Sequence, residues 1–167
     1  MRRRLFLAAP SVAEVVRYAG GWLFDQVMAG WDVTAMVADH ADARPLHILG
    51  ASTVDLESAL ASQALDLRPQ AIAVAADLYR ADPRVRQRVL DTLDSGQVVT
   101  LWGDSLPTEL AQNYSSMQHR LSAAARAFKA QALVAASVEL DSVGATETFC
   151  NGGLRRVSGG GTLVSAS

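Results

Sequence analysis

The stretch LFLAAPSVAE at residues 5–14 decides the fold. Its apolar part stops at Pro10, and Ser11 stands three residues before Glu14, which is the pattern of a capping box at the start of a helix. Apolar residues then recur at helical spacing until Gly30, a residue type that commonly ends a helix. The stretch therefore predicts a strand that leads directly into a helix, the opening unit of an α/β fold.

The same alternation continues along the chain. Further strands are predicted at residues 32–38, 46–49, 71–76 and 98–101, and helices are predicted after Ser52 and after Asp82. The run at 71–76 is apolar throughout, which is typical of a parallel strand covered on both faces. The loop at 39–45 is shorter than the dozen or so residues of a parallel crossover. The strands on either side of it are therefore expected to be antiparallel or not adjacent.

The C-terminal third has a different pattern. Helical spacing of apolar residues predicts one long helix over residues 107–136. Its apolar stripe consists of Leu110, Tyr114, Met117, Leu121 and Phe128. A terminal β-hairpin is predicted over residues 146–157, with its turn at Asn151 and Gly152. The uncharged residues 158–167 are rich in glycine and serine, which predicts a flexible tail.

These elements predict a single α/β domain over residues 1–157, built on a mixed, mainly parallel sheet of about five strands with helices on both faces. The chain of 167 residues is 50% hydrophobic and 19% charged, as is ordinary for one globular domain. Its single cysteine, Cys150, excludes an internal disulfide and favours a cytoplasmic location. The sequence contains no apolar run long enough for a membrane span. A net charge of −2 and a pI near 5.9 disfavour nucleic-acid binding.

Ligands of open α/β sheets bind beyond the carboxyl ends of the strands, so the residues that follow the predicted strands are candidates for a ligand site. These candidates are Asp39, His40, Asp77, Asp104 and Ser105. Clustered carboxylates bind Mg²⁺ or raise the pKa of one member for acid–base catalysis. Turn formation and helix capping also explain each of these residues. Because the spacing enforces no ligand geometry, we predict no specific metal site and leave the cofactor open.

A weaker candidate is the turn of small residues after the predicted strand 46–49. Gly50, Ser52 and Thr53 would let backbone N–H groups approach an anion at a helix start. Ordinary N-capping explains the same residues. If the strand before the turn is antiparallel to its neighbour, this turn also lies on the opposite edge from Asp39 and Asp77.

Two functional hypotheses follow. The alternation of strands and helices resembles the flavodoxin-like shape of regulatory domains, although the acidic pair and the lysine of a receiver domain are absent. The leading interpretation is a non-catalytic regulatory or protein-interaction domain, whose partner is another protein or a second copy. The apolar stripe of the long helix packs either against the sheet of the same chain or against a second copy, and we predict a homodimer built partly on this helix. The alternative is a small-ligand- or metal-dependent enzyme that uses the acidic edge. The sequence leaves open whether the chain is an enzyme and whether it binds a small ligand.

Overall fold

The computed structural model describes residues 3–39, 42–61, 69–103, 115–139 and 142–152. The strands are β1 (Arg4–Ser11), β2 (Asp32–Asp39), β3 (Ser52–Asp55), β4 (Ala71–Ala75), β5 (Val98–Trp102), β6 (Ser115–Arg120) and β7 (Thr146–Gly152). The helices are α1 (Val12–Met28), α2 (Arg44–Ile48), α3 (Leu56–Ala61), α4 (Ala76–Ala81), α5 (Pro83–Asp94) and α6 (Ala123–Ala135). None of the helices in these ranges has both the length and the apolar character to span a membrane.

The described strands form one sheet in the order β3-β2-β1-β4-β5-β7-β6. Strands β1 to β5 are parallel to their neighbours, and β7 runs antiparallel to both β5 and β6. The predicted α/β fold with a mixed, mainly parallel sheet is therefore confirmed. The predicted number of about five strands is wrong, because β6 and β7 extend the sheet to seven.

Helices cover both faces of the sheet, as predicted. On one face, Trp22 of α1 packs against Phe149 of β7, with ring centroids 5.2 Å apart. On the other face, Val89 of α5 and Leu56 of α3 lie near Phe6 of β1. Because successive side chains of a strand point to opposite faces, β1 contributes Phe6 to one layer and its buried neighbours Leu5 and Leu7 to the other.

Two predicted helix starts are confirmed at the level of single hydrogen bonds. Ser11 caps α1, and its Oγ accepts the N–H of Glu14 at 3.2 Å. Asp82 caps α5, and its Oδ1 accepts the N–H of Arg84 at 2.9 Å. Each cap satisfies a backbone donor that the first turn of a helix leaves unpaired.

The region around residues 44–55 differs from the prediction. The predicted strand 46–49 is the short helix α2, which has Pro45 in its first turn and buries Leu46 and Leu49 on one side. A proline is well tolerated in the first turn of a helix because that position needs no N–H. The predicted helix start at Ser52 is instead the strand β3, which lies parallel to β2. An apolar run as short as residues 46–49 does not distinguish a buried strand from a helix by its periodicity.

The predicted long helix 107–136 is also wrong. Its described part is a strand, β6, followed by the helix α6, which begins after the N-cap Ser122. Ser122 Oγ accepts the N–H of Ala125 at 3.0 Å. Of the predicted stripe, Met117 lies on β6 and Leu121 is buried just after it, while Leu110 and Tyr114 lie outside the described residues.

Leu121 and Phe128, the two residues of the predicted stripe nearest to α6, have different surroundings. Leu121 is only 5% exposed and lies against Gly21 of α1, so it belongs to the core of the chain itself. Phe128 is 39% exposed and stacks on Phe24, with ring centroids 4.7 Å apart. The stripe predicted to form an interface is therefore not a single exposed surface. Self-association of the chain stays a prediction.

The predicted turn of the terminal hairpin is wrong, although its predicted first strand, residues 146–150, lies within β7. Asn151 and Gly152, the residues predicted to form its turn, lie within β7, where Gly152 pairs with Val99 and Asn151 pairs with Thr100. The Asn151 side chain accepts a hydrogen bond from Thr100 Oγ1 at 2.8 Å, which ties it to the neighbouring strand. The second half of the predicted hairpin and the predicted tail 158–167 lie outside the described residues.

Candidate functional site

The order in which the chain adds strands to the sheet reverses between β1 and β4, and the carboxyl ends of these two strands mark the switch point. From β1 the chain builds β2 and β3 on one side, and it then returns to place β4 and β5 on the other side. In open α/β sheets a crevice forms at this switch point, and ligands bind there. The crevice beyond β1 and β4 is therefore the candidate functional site of the chain.

Ser11 lies at the carboxyl end of β1, between the ends of β2 and β4. It is the last residue of β1, and it stands opposite Asp39 in the register of β1 and β2. Because Ser11 Oγ accepts the Glu14 N–H, the hydroxyl proton remains available for donation to another acceptor. The sequence predicted Ser11 only as a helix cap. Its place at the switch point follows from the order of the strands, which the sequence did not predict.

The structure places two of the predicted acidic residues at this edge. Asp39 ends β2 and Asp77 follows β4 in the first turn of α4, so the two carboxylates flank the end of β1. The Asp77 side chain is 69% exposed, and its Oδ1 accepts a hydrogen bond from Arg80 Nη2 at 2.7 Å. His40, Asp104 and Ser105 lie outside the described residues.

Gly103 shapes the neighbouring end of β5. Its φ angle is +134°, and a Cβ atom there would lie 3.3 Å from the Cβ of Ala76. Glycine therefore allows the chain to leave β5 close to the first residue of α4. The adjacent Trp102 is buried, and its indole N–H has no hydrogen-bond partner among the described residues.

The predicted anion-binding turn has a different structure. Gly50 has a φ angle of +93° and ends α2, whereas Ser52 and Thr53 belong to β3 and do not cap a helix. Thr53 pairs with Ala35 in the parallel register of β2 and β3. The strand-to-helix geometry on which an anion site at these residues depends is therefore not formed.

A set of polar contacts that the sequence did not predict lies where α1, α6, β6 and β7 meet. We call this set the polar seam, and its members are Asp25, His119, Ser122, Lys129 and Glu147. Lys129 Nζ lies 2.7 Å from Glu147 Oε2, and the two side chains are only 6% and 2% exposed. Lys129 is the only lysine of the chain.

The buried ion pair of the polar seam is bonded to the backbone of α1. Glu147 accepts the N–H groups of Gly21 and Trp22, at 2.8 and 2.7 Å. The carbonyl of Arg17, one turn earlier, accepts the ammonium of Lys129 at 2.8 Å. Because each charge has both an opposite charge and backbone partners, the cost of its burial is offset.

The other end of the polar seam is centred on Asp25. Its Oδ2 lies 2.8 Å from His119 Nε2, and its Oδ1 accepts the hydroxyl of Ser122 at 2.6 Å. Burial raises the pKa of Asp25, but the hydrogen bonds from Ser122 and His119 outweigh this effect and hold the pKa below its usual value. Cys150, on the middle strand of this edge, has its pKa raised by burial, which disfavours the reactive thiolate.

An apolar cavity of about 80 Å³ lies on the opposite side of the sheet from the polar seam. It is lined by strand residues, α3, α5 and Pro69, and Arg88 and Thr92 are its polar lining residues. Asp39 and Asp77 are not among the residues that line it. The cavity and the crevice are therefore separate features.

The described residues do not suit a metal ion. Across them, no group of three or more histidine, cysteine, aspartate and glutamate side chains could hold one. Zinc sites in proteins use three or four such ligands, so Asp39 and Asp77 fall short of a site.

No protein-family model matches the chain. No curated protein matches it either. The fold, in contrast, is similar to that of solved structures. One is the antimicrobial reagent A40926 pseudoaglycone deacetylase, at 15% identity and a TM-score of 0.60, with 90% of this chain and 97% of that chain covered.

Two further structures are similar. The zinc-inhibited form of teicoplanin deacetylase has 12% identity and a TM-score of 0.59, with 89% of this chain and 97% of that chain covered. The N,N′-diacetylchitobiose deacetylase from Pyrococcus horikoshii has 11% identity and a TM-score of 0.54, with 83% of this chain and 72% of that chain covered. At these identities the likeness establishes the fold.

The comparisons correct the leading functional interpretation. The chain was interpreted as a non-catalytic regulatory or protein-interaction domain, but these solved structures of similar fold are deacetylases. The finding favours an enzyme, which was the alternative. The error arose because strand and helix alternation is common to regulatory domains and to enzymes, and a sheet order cannot be read from local sequence.

Proposed function

We propose that the chain is an enzyme that hydrolyses the amide of an N-acylated amino sugar, or of a larger molecule that carries one, in the crevice beyond β1 and β4. The observation that carries the proposal is the likeness of fold to deacetylases over 83 to 90% of the chain. The position of Ser11, Asp39 and Asp77 at the switch point of the sheet supports it.

The proposed roles follow from the chemistry of these side chains. Hydrolysis of an amide needs a base that takes a proton from the attacking water and a donor that stabilises the carbonyl oxygen. Asp39 is the proposed base, and it returns the proton to the nitrogen of the departing amine. The hydroxyl of Ser11 is the proposed donor to the carbonyl oxygen. Asp77, held by Arg80, is the proposed acceptor of sugar hydroxyl groups.

The proposal is tested with purified protein and a panel of N-acetylated substrates, including N-acetylglucosamine and N,N′-diacetylchitobiose. Release of acetate is followed by proton NMR, and appearance of the free amine is followed by mass spectrometry. We expect turnover of at least one substrate and a loss of about 10²-fold or more in Asp39→Asn, the range of general-base catalysis.

The matched control is Asp42→Asn. Asp42 is an exposed carboxylate three positions after Asp39, and it is held by Arg44 at 2.9 Å. We expect this variant to keep the activity of the unaltered chain. Equal losses in the two variants, or no release of acetate from any substrate, would contradict the proposal.

A further inference from the structure

We infer that the crevice binds its ligand without a resident zinc ion. The inference rests on the proposed function for the place of the site. It stands on the side chains that the strands actually bring to that edge.

The first reason is the composition of the centre of the crevice. Residues 9–13, which end β1 and begin α1, are Ala, Pro, Ser, Val and Ala. Zinc is bound by thiolate, imidazole and carboxylate groups, and none of these five residues carries one; the next carboxylate along the chain is that of Glu14, in the first turn of α1. The strand that lies between Asp39 and Asp77 therefore contributes no zinc ligand, although it is the strand nearest to both.

The second reason is that neighbouring carboxylates already have partners. Asp77 is paired with the guanidinium of Arg80, whose positive charge repels a cation at the same carboxylate. Asp55, at the end of β3, accepts both the N–H and the hydroxyl of Ser58 at 2.9 Å. These carboxylates act as an ion-pair partner and a helix cap, and neither is held ready for a metal.

The third reason concerns the histidines that the structure describes. His119 is bonded through Nε2 to Asp25 in the polar seam, and His47 lies on α2. Neither belongs to a group of three metal-binding side chains in the described ranges. Among the described residues, the edge thus has a positive charge, the Arg80 guanidinium, in a place where a metal site would need additional negative groups.

The experiment measures the zinc content and the thermal unfolding of the intact chain, purified without chelators from zinc-supplemented cells. Elemental analysis by plasma mass spectrometry is expected to find far less than one zinc ion per chain. Added Zn²⁺ or EDTA is expected to leave the midpoint of thermal unfolding unchanged. One zinc ion per chain, removed by EDTA together with a fall in the midpoint and absent from the Asp39→Asn/Asp77→Asn variant, would overturn the inference.

A double variant locates any zinc that is found. Zinc lost from Asp39→Asn/Asp77→Asn was bound in the crevice and overturns the inference, whereas zinc retained by that variant was bound elsewhere and agrees with it. The readouts are independent of catalysis. A metal-free chain that releases acetate supports both proposals, a metal-free inactive chain contradicts the proposed function alone, and a chain with zinc in the crevice contradicts this inference alone.

Discussion

The crevice and the polar seam use the same kinds of side chain in opposite surroundings. In the crevice, the ion pair of Asp77 and Arg80 is exposed to water, with 69% and 41% of the two side chains accessible. In the polar seam, Lys129 and Glu147 are almost completely buried and bonded to the backbone of α1. Water screens the first pair and is excluded from the second. The crevice therefore has charges that a ligand can use, whereas the polar seam has charges that the fold depends on.

The largest expected effect is the loss of Glu147. Glu147→Leu leaves the Lys129 ammonium buried without its partner and removes the acceptor of two N–H groups of α1. We expect the free energy of unfolding, measured by urea denaturation, to fall by about 3–5 kcal/mol, the cost of breaking a buried ion pair from one side.

The control is Lys129→Met/Glu147→Leu, which removes both charges. Because replacing a whole buried pair with apolar residues is often neutral, we expect this double variant to recover much of the lost stability. A double variant that is as unstable as the single one would mean that the hydrogen bonds to α1, and not the charge, carry the effect.

The next effect concerns the close contact of α1 with the end of β6. A Cβ atom on Gly21 would lie 2.2 Å from Leu121 Cδ2, well inside van der Waals contact. We expect Gly21→Ala to cost about 1–3 kcal/mol in urea denaturation, as overpacking does. Leu121→Ala in the same chain should reduce the penalty of the added methyl group.

The adjacent glycine provides the comparison. A Cβ atom on Gly20 would lie 3.3 Å from the flexible end of Leu49, so the neighbour needs to move only slightly. Alanine also favours the helix by about 1 kcal/mol over glycine. Gly20→Ala should therefore be close to neutral, and an equal cost at both positions would show that helix geometry, not Leu121, requires Gly21.

A smaller effect is expected from pH at Asp25. Its folded-state pKa lies below the ordinary value of 3.8, so the folded chain binds this proton less tightly than the unfolded chain does. The stabilisation is present above about pH 3.8 and is lost as the pH falls through the lower, folded-state value. Thermal midpoints measured from neutral to acidic pH should fall less steeply in Asp25→Asn than in the unaltered chain. Parallel profiles would contradict this role of Asp25.

The smallest effect on stability is expected in the crevice. Asp77→Asn removes an exposed carboxylate whose pair with Arg80 is open to water, so we expect a change below about 0.5 kcal/mol in urea denaturation. The same variant should weaken the apparent affinity for an N-acetylated substrate in the acetate-release assay. A large loss of stability would show that the fold depends on Asp77, as we expect it to depend on Glu147 of the polar seam.

Local signals in the sequence were sufficient where one element decides its own structure. The capping residues Ser11 and Asp82 identify helix starts, and the apolar run that became β4 identifies a buried strand. The edge occupied by Asp39 and Asp77 was also predictable, because parallel strands all end on one side. These features need no knowledge of distant residues.

Local signals failed where distant contacts decide. Met117, Leu121 and Phe128 keep a helical spacing, yet pairing with β7 draws Met117 into a strand and Gly21 provides the space that receives Leu121. The alternation of Met117, His119 and Leu121 with polar residues, followed by the cap Ser122, was the sequence signal that could have found this break. The polar seam joins Asp25 to His119 across 94 residues, and no spacing in the sequence indicates such a contact.

The burial of the only lysine has a practical consequence for labelling chemistry. Amine-reactive esters need an accessible, unprotonated amine, and Lys129 is enclosed by Glu147 and the Arg17 carbonyl. Acylation at Lys129 thus requires α1 and α6 to separate, so its rate reports how often this part of the chain opens under native conditions. Because the chain has no second lysine, the acylation rate at Lys129, resolved from acylation of the N-terminal amine by peptide mass spectrometry, measures that opening at one site.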